Sequence, residues 1–371
     1  MSGKVATEIL QPGHGHIGGE HYLRSEPGTV RWGWLPSLAD PPVLNVGSGA
    51  TVTIDTISHE GVLEDQGRDP VRYLEQFGVP ASSVLADARE LARDWPERRS
   101  DSGPHIVTGP IGVHGAVPGG LLRVDLLELT PRVPYGFISN RDGRGALPGE
   151  FPEPGVVPTP RERDAIAAPG TVTHFAALDA TGRRARISAG GGRGLGFPVA
   201  PFAGILGTVP AAPEPLNSIP PGEHGGNIDL KHLVTGTTVY LPIAHAGALF
   251  YVGDPHFAQG NGEVALTALE ASLRVTVRLT ALPPGRTGAG LPLTVPFAET
   301  AEHWIPLGMD ISLDRAMQKA VRTAIDFLAD RFELPRDVAL AYLSAAADFE
   351  VTQVVDRVKG VHCMIRKDDF G

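Results

Sequence analysis

The sequence contains a single cysteine, Cys363, among its 371 residues. One thiol cannot form an intramolecular disulfide, so we expect no disulfide framework and a reducing compartment. Long apolar runs are also missing: no stretch approaches the roughly 20 consecutive apolar residues of a membrane-spanning helix, and no apolar segment of a signal peptide follows the first lysine. These absences predict a cytoplasmic protein without a membrane partner.

Basic residues are scarcer than acidic ones. The chain has 32 Lys and Arg against 42 Asp and Glu, for a formal net charge of -10. A nucleic-acid binder needs a basic surface that neutralises phosphates, so we expect no nucleic-acid partner. By contrast, 46 Gly and 34 Pro favour many short strands joined by turns over long helices.

Hydrophobic periodicity predicts a mainly β fold with an α+β element at the C-terminus. Alternating apolar residues indicate a strand at 51–57, and apolar runs between 238 and 282 indicate buried strands. A helical insertion is expected at about 69–95, and two helices after 313. We therefore predict a β-rich core over residues 1–305 and an α+β element over 306–371, packed on it as a small helical cap.

Polar residues interrupt the apolar runs at two places. Around a Gly pair at Gly226, the chain carries Asn227 and Asp229, and a turn stabilised by side-chain hydrogen bonds is the alternative interpretation. Asp254 and His256 alternate along the second stretch and would project from one face of an extended chain, which suits a metal site. Further candidate residues of this stretch are Gln259 and Glu263.

Other histidines give weaker signals. His59 and Glu60 follow directly after the strand at 51–57 and form a third candidate cluster, with ordinary polarity at a strand end as the alternative. His114 and His245 lie in apolar surroundings, where a histidine is more often a core residue with its hydrogen bonds satisfied. The N-terminal run HGHIGGEH, which begins at His14, is expected to form a solvated or partner-contacting arm.

Three segments resemble the acetamidase/formamidase family. They are GGNIDLKHLVTGTTVYLPIAHAGALFYVGDPHFAQGNGEV, TGPIGVHGAVPGGLLRVDLLEL and SAAADFEVTQVVDRVKGVHCMI, and weaker similarity extends from Val46 to Ile365. The resemblance implies a β-sandwich-like fold, hydrolysis of a short carboxamide, an associated metal ion and a homo-oligomer. A related (+)-γ-lactamase implies that cyclic amides also fall within the family's range.

The chain departs from the typical family pattern at several positions. His114 stands where many members have an acidic residue, Gly120 replaces an aspartate, and Ser58 to Glu60 replace an aspartate-containing stretch. The segment around Gly204 lacks the His-Pro of the typical formamidase. We therefore predict a divergent member that acts on an amide other than formamide.

Together these residues suggest a metal-assisted amidase. A divalent ion, zinc first and calcium or manganese as alternatives, would be held by a subset of His59, Asp229, Asp254 and His256, and would polarise the amide carbonyl or a water molecule. Candidate catalytic residues are Glu60, Glu263 and His245; Asn227, Gln259, His114 and Gly226 are candidate substrate-binding residues. The alternative is a non-catalytic protein that binds small amides or polyamines.

Overall fold

A computed structural model describes residues 8–96, 98–153, 170–285 and 294–371. The strands are β1 His21–Leu23, β2 Val30–Trp32, β3 Leu44–Val46, β4 Ala50–Asp55, β5 Ile106–Val113, β6 Leu121–Pro131, β7 Tyr135–Arg141, β8 Thr171–Leu178, β9 Arg184–Ser188, β10 Gly194–Pro198, β11 Phe202–Thr208, β12 Gly225–Asn227, β13 Thr238–Pro242, β14 Phe250–Ala258, β15 Leu269–Glu270, β16 Leu273–Leu282, β17 Phe297–Glu299, β18 His303–Asp310, β19 Asp348–Gln353 and β20 Lys359–Arg366. The α-helices are α1 Pro70–Glu75, α2 Ala86–Asp94, α3 Leu313–Phe332 and α4 Arg336–Ala346, and 3-10 turns lie at Glu64–Gln66, Ala81–Ser83 and Lys367–Phe370.

The strands form two large sheets. The first has nine strands in the order β1-β4-β16-β6-β13-β17-β18-β20-β19, and the second has eleven, of which eight follow the order β10-β9-β8-β7-β15-β14-β11-β12. Strand β5 joins the second sheet beside β14 and carries β2 and β3 on its own flank. The predicted mainly β fold is confirmed.

One hydrophobic core draws side chains from both sheets. Val52 and Val275 of the first sheet belong to the same buried cluster as Leu206 and Val252 of the second. The alternation that indicated β4 reflects this arrangement, because every second side chain of a strand points to one face of its sheet. Helices α1 and α2, which lie within the expected helical insertion, add Leu74 and Leu91 respectively to this core.

The C-terminal segment extends the first sheet and covers it with helices. Strands β18, β20 and β19 form the end of that sheet, and α3 packs on β18 and β20. The close approach depends on small residues, because Ala316 and Ala320 of α3 are fully buried and Gly308 of β18 leaves no room for a Cβ beside them. The predicted boundary at 305/306 falls inside β18.

The described part of the chain contains no helix that is long and apolar enough to cross a membrane.

Arg274 attaches the N-terminal segment to the first sheet. Its guanidinium lies on β16, 2.7 Å from Asp55 Oδ1 of the neighbouring β4, and it also donates to the backbone carbonyls of Gln11, His14 and His16. The His14–His16 segment is therefore held by its backbone, while the side chains of both histidines face solvent. This arm is more firmly attached than the sequence suggested.

We predict that Arg274→Met lowers the free energy of unfolding by about 1–3 kcal/mol, because the buried Asp55 carboxylate loses its two hydrogen bonds from this guanidinium and keeps only Tyr22 and Arg132 as partners. The measurement is urea unfolding, combined with limited proteolysis to detect release of residues 11–16. Arg278→Met is the matched control, since Arg278 lies on the same strand with its side chain exposed. Equal stability of the two variants would contradict the prediction.

Candidate active site

A buried group of acidic residues and histidines lies at one end of the second sheet. Its members, here called the acid–histidine cluster, are His59, His105, Asp229, Asp254, His256, Glu263, Glu270 and Asp356. None of these residues is more than 7% exposed. Ionisable groups are rarely this buried unless they are paired or bind a cation, so the cluster is the leading candidate for a functional site.

Strand β14 is the centre of this arrangement because it carries Asp254 and His256. Its neighbour β15 places Glu270 directly opposite His256, and β5, which is preceded by His105, pairs with an earlier part of the same edge of β14. Asp229 follows β12, which pairs with β11 beside β14. Strands β14 and β15, the segment before β5 and the segment after β12 thus direct polar side chains to one place.

Three carboxylates of the cluster sit on left-handed backbone. The φ angles are +51° at Asp229, +49° at Asp254 and +47° at Glu263. Residues with a Cβ seldom adopt this region, and such conformations concentrate at functional sites, where the surrounding structure holds them. Asp254 lies within β14, and its left-handed backbone kinks the strand. The Asp254 side chain therefore approaches His256 from a kinked strand, whereas the sequence predicted a regularly alternating one.

Asp254 connects two groups of side chains through its two oxygens. Its Oδ2 lies 3.0 Å from His256 Nε2, which is also 3.0 Å from Glu270 Oε1. Its Oδ1 faces the other way, 3.6 Å from His59 Nδ1 and 3.9 Å from His105 Nε2. On the far side of the His256 ring, Nδ1 lies 3.9 Å from Asp229 Oδ1.

Many of these atoms are close to one another without forming hydrogen bonds. Both ring nitrogens of His59 and His256 are buried without a hydrogen-bond partner, as are both oxygens of Asp229. The same holds for Asp254 Oδ1, Glu263 Oε2 and Glu270 Oε2. Each buried polar atom without a partner costs about 1–3 kcal/mol, so this many in one place favour a common ligand as their partner.

The pKa values show which sign of charge this partner would carry. Burial raises the pKa of Glu263 well above its usual value, and the negative charges of Asp229 and Glu270 raise it further. Burial lowers the pKa of His256, but the carboxylates of Glu270 and Asp254 outweigh burial and raise it well above normal. The cluster therefore has an excess of negative charge, which attracts a cation.

The donor atoms suit a divalent transition metal. Ligand atoms that share one zinc ion at ~2.1 Å lie roughly 3.0–3.6 Å apart, close to the separations around Asp254 and His256. Three sets of residues bring their ligand atoms within 4.8 Å of one another: Asp254, His256 and Glu270; His59, His105 and Asp254; and Asp229, His256 and Glu263. All four residues predicted to bind metal, His59, Asp229, Asp254 and His256, thus occur in these sets.

Glu60 adjoins the cluster but is fully engaged by other partners. Its carboxylate accepts hydrogen bonds from Gln66, from Ser139 Oγ at 2.8 Å and from Arg141 Nη2 at 3.1 Å, and His59 Nε2 lies 3.6 Å away. Burial would raise the pKa of Glu60, but the charges of Arg141 and His59 outweigh it and lower this pKa. Such a carboxylate is suited to fixing His59 rather than to exchanging protons.

A cleft of about 720 Å³ leads to the cluster, and Glu263 and Gln259 line it. Gln259 donates to the backbone carbonyl of Asp229 at 2.7 Å, which leaves its side-chain oxygen without a partner. Asn227 is buried on β12, and its side-chain oxygen also lacks a partner. Gln259 therefore offers a free acceptor at the cleft, and Asn227 offers a buried one two residues before Asp229.

Three of the predicted site residues lie apart from these contacts. His114 is exposed just beyond the opposite end of β5, where the preceding Val113 donates to the carbonyl of Gly247. His245 is in the same region, with Nε2 2.9 Å from the carbonyl oxygen of Pro210. Gly226 is buried on β12 with a φ of +78°, and a Cβ there would meet the His224 ring.

Three members of the cluster were not predicted from the sequence as site residues: His105, Glu270 and Asp356. His105 directly precedes the apolar residues Ile106 and Val107, and Glu270 interrupts an otherwise apolar stretch, so each had a local signal. Their meeting with Asp254 and His256 depends on strand pairing, which no local pattern specifies. Asp356 comes from the turn between β19 and β20 and approaches Asp229, whose pKa is raised first by burial and next by the charge of Asp356.

Gly204 leaves the space that the cluster occupies. A Cβ at this position of β11 would lie closer than 3.0 Å to Asp229 Oδ1, Asp254 Oδ2 and His256 Cε1. The family departure around Gly204 thus falls directly beneath the cluster.

We predict that Gly204→Ala destabilises the protein by about 1–3 kcal/mol, because the added methyl group overpacks a site whose side chains have no room to move. Chemical denaturation measures this change. Gly28→Ala is the control, since a Cβ at Gly28 meets nothing within 4 Å. If both variants unfold at the same denaturant concentration, the space beneath the cluster is not as restricted as described.

Comparison with known proteins extends these observations. Residues 209–365 match the model of the Acetamidase/Formamidase family. A formamidase from Methylophilus methylotrophus is 33% identical over 191 residues, which cover 43% of this chain and 47% of the relative. The chain spans about half the length of the curated relatives that it matches.

The fold is similar over a greater length. An acetamidase from Bacillus halodurans has a TM-score of 0.68 and 25% identity, with 94% of this chain and 98% of that chain covered. A γ-lactamase from Delftia acidovorans has a TM-score of 0.53 and 20% identity, covering 94% and 93%. The predicted resemblance is therefore confirmed: the chain is similar to the acetamidase/formamidase family in sequence at residues 209–365 and to a solved acetamidase in fold over nearly the whole length.

Proposed function

We propose that this protein is a metal-assisted amidase that cleaves the C–N bond of a small linear or cyclic carboxamide, giving a carboxylate and ammonia or an amine. The observation that carries this proposal is the buried group around Asp254 and His256, whose ligand atoms lie 3.0 Å apart without hydrogen bonds. The names of the relatives, formamidase and acetamidase, support the reaction type.

Asp254 and His256 are the proposed metal ligands, together with Glu270. His59 and Asp229 complete the predicted set, and His105 joins it through Asp254. A divalent ion at these residues would act as a Lewis acid on the amide carbonyl and would lower the pKa of a water molecule. Imidazole and carboxylate donors favour zinc over calcium or magnesium, which prefer sites made of oxygen alone.

Glu263 is the proposed general acid–base group. It would accept the proton of the attacking water and return it to the leaving nitrogen, a role for which a carboxyl group with a raised pKa is suited. Its position at the cleft gives it access to a substrate, whereas Glu60 is held by Arg141 and Ser139. Glu60 would instead orient His59.

Gln259 and Asn227 would position the amide. The unpartnered side-chain oxygen of each can accept a hydrogen bond from the substrate N–H group. Apolar residues that include Ile138, Phe197 and Leu269 line the same cleft. Its volume of about 720 Å³ lies within the ~300–1,000 Å³ of typical ligand pockets, which favours an amide larger than formamide.

We also expect the protein to be cytoplasmic and to form a homo-oligomer. A cytoplasmic location is supported by the single cysteine, Cys363, which is buried. The homo-oligomer implied by the resemblance stays a prediction, which the molar mass in solution tests.

We predict that the purified protein releases ammonia from at least one member of a panel of formamide, acetamide and longer aliphatic amides, or opens a γ-lactam ring. Removal of metal by a chelator should abolish turnover, and added zinc should restore it, with circular dichroism as the control for folding. No turnover across the panel would favour the non-catalytic binding protein. Full turnover by metal-free protein would remove the metal from the mechanism.

We predict that Glu263→Gln lowers kcat by about 10²–10⁴-fold and leaves the metal content unchanged, because the amide preserves the shape but cannot transfer the proton. Asp254→Asn should instead lower the metal content. Glu223→Gln is the control, since Glu223 is exposed and precedes the Gly225–Asn227 strand. Loss of metal from Glu263→Gln would make Glu263 a ligand and would overturn its acid–base role.

A further inference from the structure

A second group of metal-binding side chains lies outside the acid–histidine cluster. His232, Glu350 and His362 bring one ligand atom each within 4.8 Å of the others. Glu350 and His362 are directly paired across β19 and β20, so their separation is fixed by the hydrogen bonds of the sheet. His232 comes from the segment between β12 and β13.

The geometry directs two imidazole nitrogens and a carboxylate to one point. His362 Nε2 lies 3.5 Å from Glu350 Oε2, and the rings of His232 and His362 have their centroids 5.2 Å apart at an angle of 68°. The Nε2 atoms of both histidines are buried without a hydrogen-bond partner. His362 itself is fully buried, so its free nitrogen has no access to bulk water.

Neighbouring residues hold these side chains as metal ligands are usually held. The other nitrogen of His362, Nδ1, is 2.9 Å from Thr352 Oγ1, and this contact fixes the orientation of the ring. The amide of Asn261 donates to Glu350 Oε2. The Thr352 contact engages the other ring nitrogen of His362, as is typical of metal-binding histidines, whereas Asn261 bonds to the same Glu350 oxygen that faces His362.

We propose that His232, Glu350 and His362 form a second divalent metal site, for which zinc is the best fit. Two imidazoles and one carboxylate make up the ligand set of many zinc sites, in which a fourth position stays open. His232 and Asn261 also line the cleft of about 720 Å³. The open position would therefore face the cleft, where a water molecule or an oxygen of a bound ligand can occupy it.

Lys231 stands next to this site and also lines the cleft. Its positive charge opposes a bare cation, and the charge of Glu350 offsets this repulsion. The competing interpretation is an ion pair between a protonated histidine and Glu350 that contains no metal. The two interpretations differ in zinc stoichiometry.

The test is a zinc titration of the full-length protein after chelator treatment, followed by equilibrium dialysis and elemental analysis. In an Asp254→Asn background, in which the first cluster is impaired, the protein should still bind zinc. Adding Glu350→Gln or His232→Asn should weaken this remaining site at least about tenfold. His174→Asn is the control, since His174 is exposed on β8.

Glu350 and His232 are only partly buried, so these substitutions perturb folding less than His362→Asn. Cobalt can replace zinc as a spectroscopic probe. Its visible absorption should show nitrogen ligands, and this signal should weaken in His232→Asn because one of the nitrogen ligands is lost. The proposal would be overturned if Asp254→Asn alone bound as much zinc, with the same affinity, as the three double variants that add Glu350→Gln, His232→Asn or His174→Asn. Metal content is the readout throughout, so the result does not depend on whether an amide is hydrolysed.

Discussion

The left-handed backbone at Asp229, Asp254 and Glu263 is the constraint on which the site depends. Each such conformation costs on the order of 1–3 kcal/mol, and it persists only where neighbouring structure leaves no alternative. For Asp254 the neighbours are β11 and β5, which pair with β14 on either side of the kink. The backbone of the sheet thus adopts an unfavourable local conformation, and this conformation turns carboxylates towards one another despite their mutual repulsion.

That repulsion explains why the centre of the site, formed by Asp254, His256 and Glu270, lies on paired strands, while the other members come from adjoining loops. Buried carboxylates would separate or draw in water if their backbone were free to move. Here Glu270 and His256 face each other across paired strands, and both are almost fully buried. A rigid frame of this kind can hold ligand atoms in place before a cation arrives, which reduces the reorganisation that binding requires.

The sequence was informative where signals are local. Alternation and turn residues predicted the β-rich fold, and the apolar spacing after residue 313 predicted α3. Polar residues lodged in an apolar run pointed to β14, where Asp254 and His256 approach Glu270. The strand pairing that brings Glu270 to His256 is a long-range property that no local pattern specifies. In addition, a histidine at one end of a strand has the same local pattern as a histidine at the other end. His105 and His114 flank the same strand, yet only His105 meets Asp254.

The residue at the position of Gly204 can be used to sort related sequences by whether they have room for this cluster. A chain can keep every acidic residue and histidine described above and still be unable to arrange them, if a larger residue takes the place of this glycine. The absence of a side chain is as much a part of the site as the side chains are. One position on β11 could therefore separate chains that share only this fold from chains that can also assemble its cluster, before any of the proteins is made.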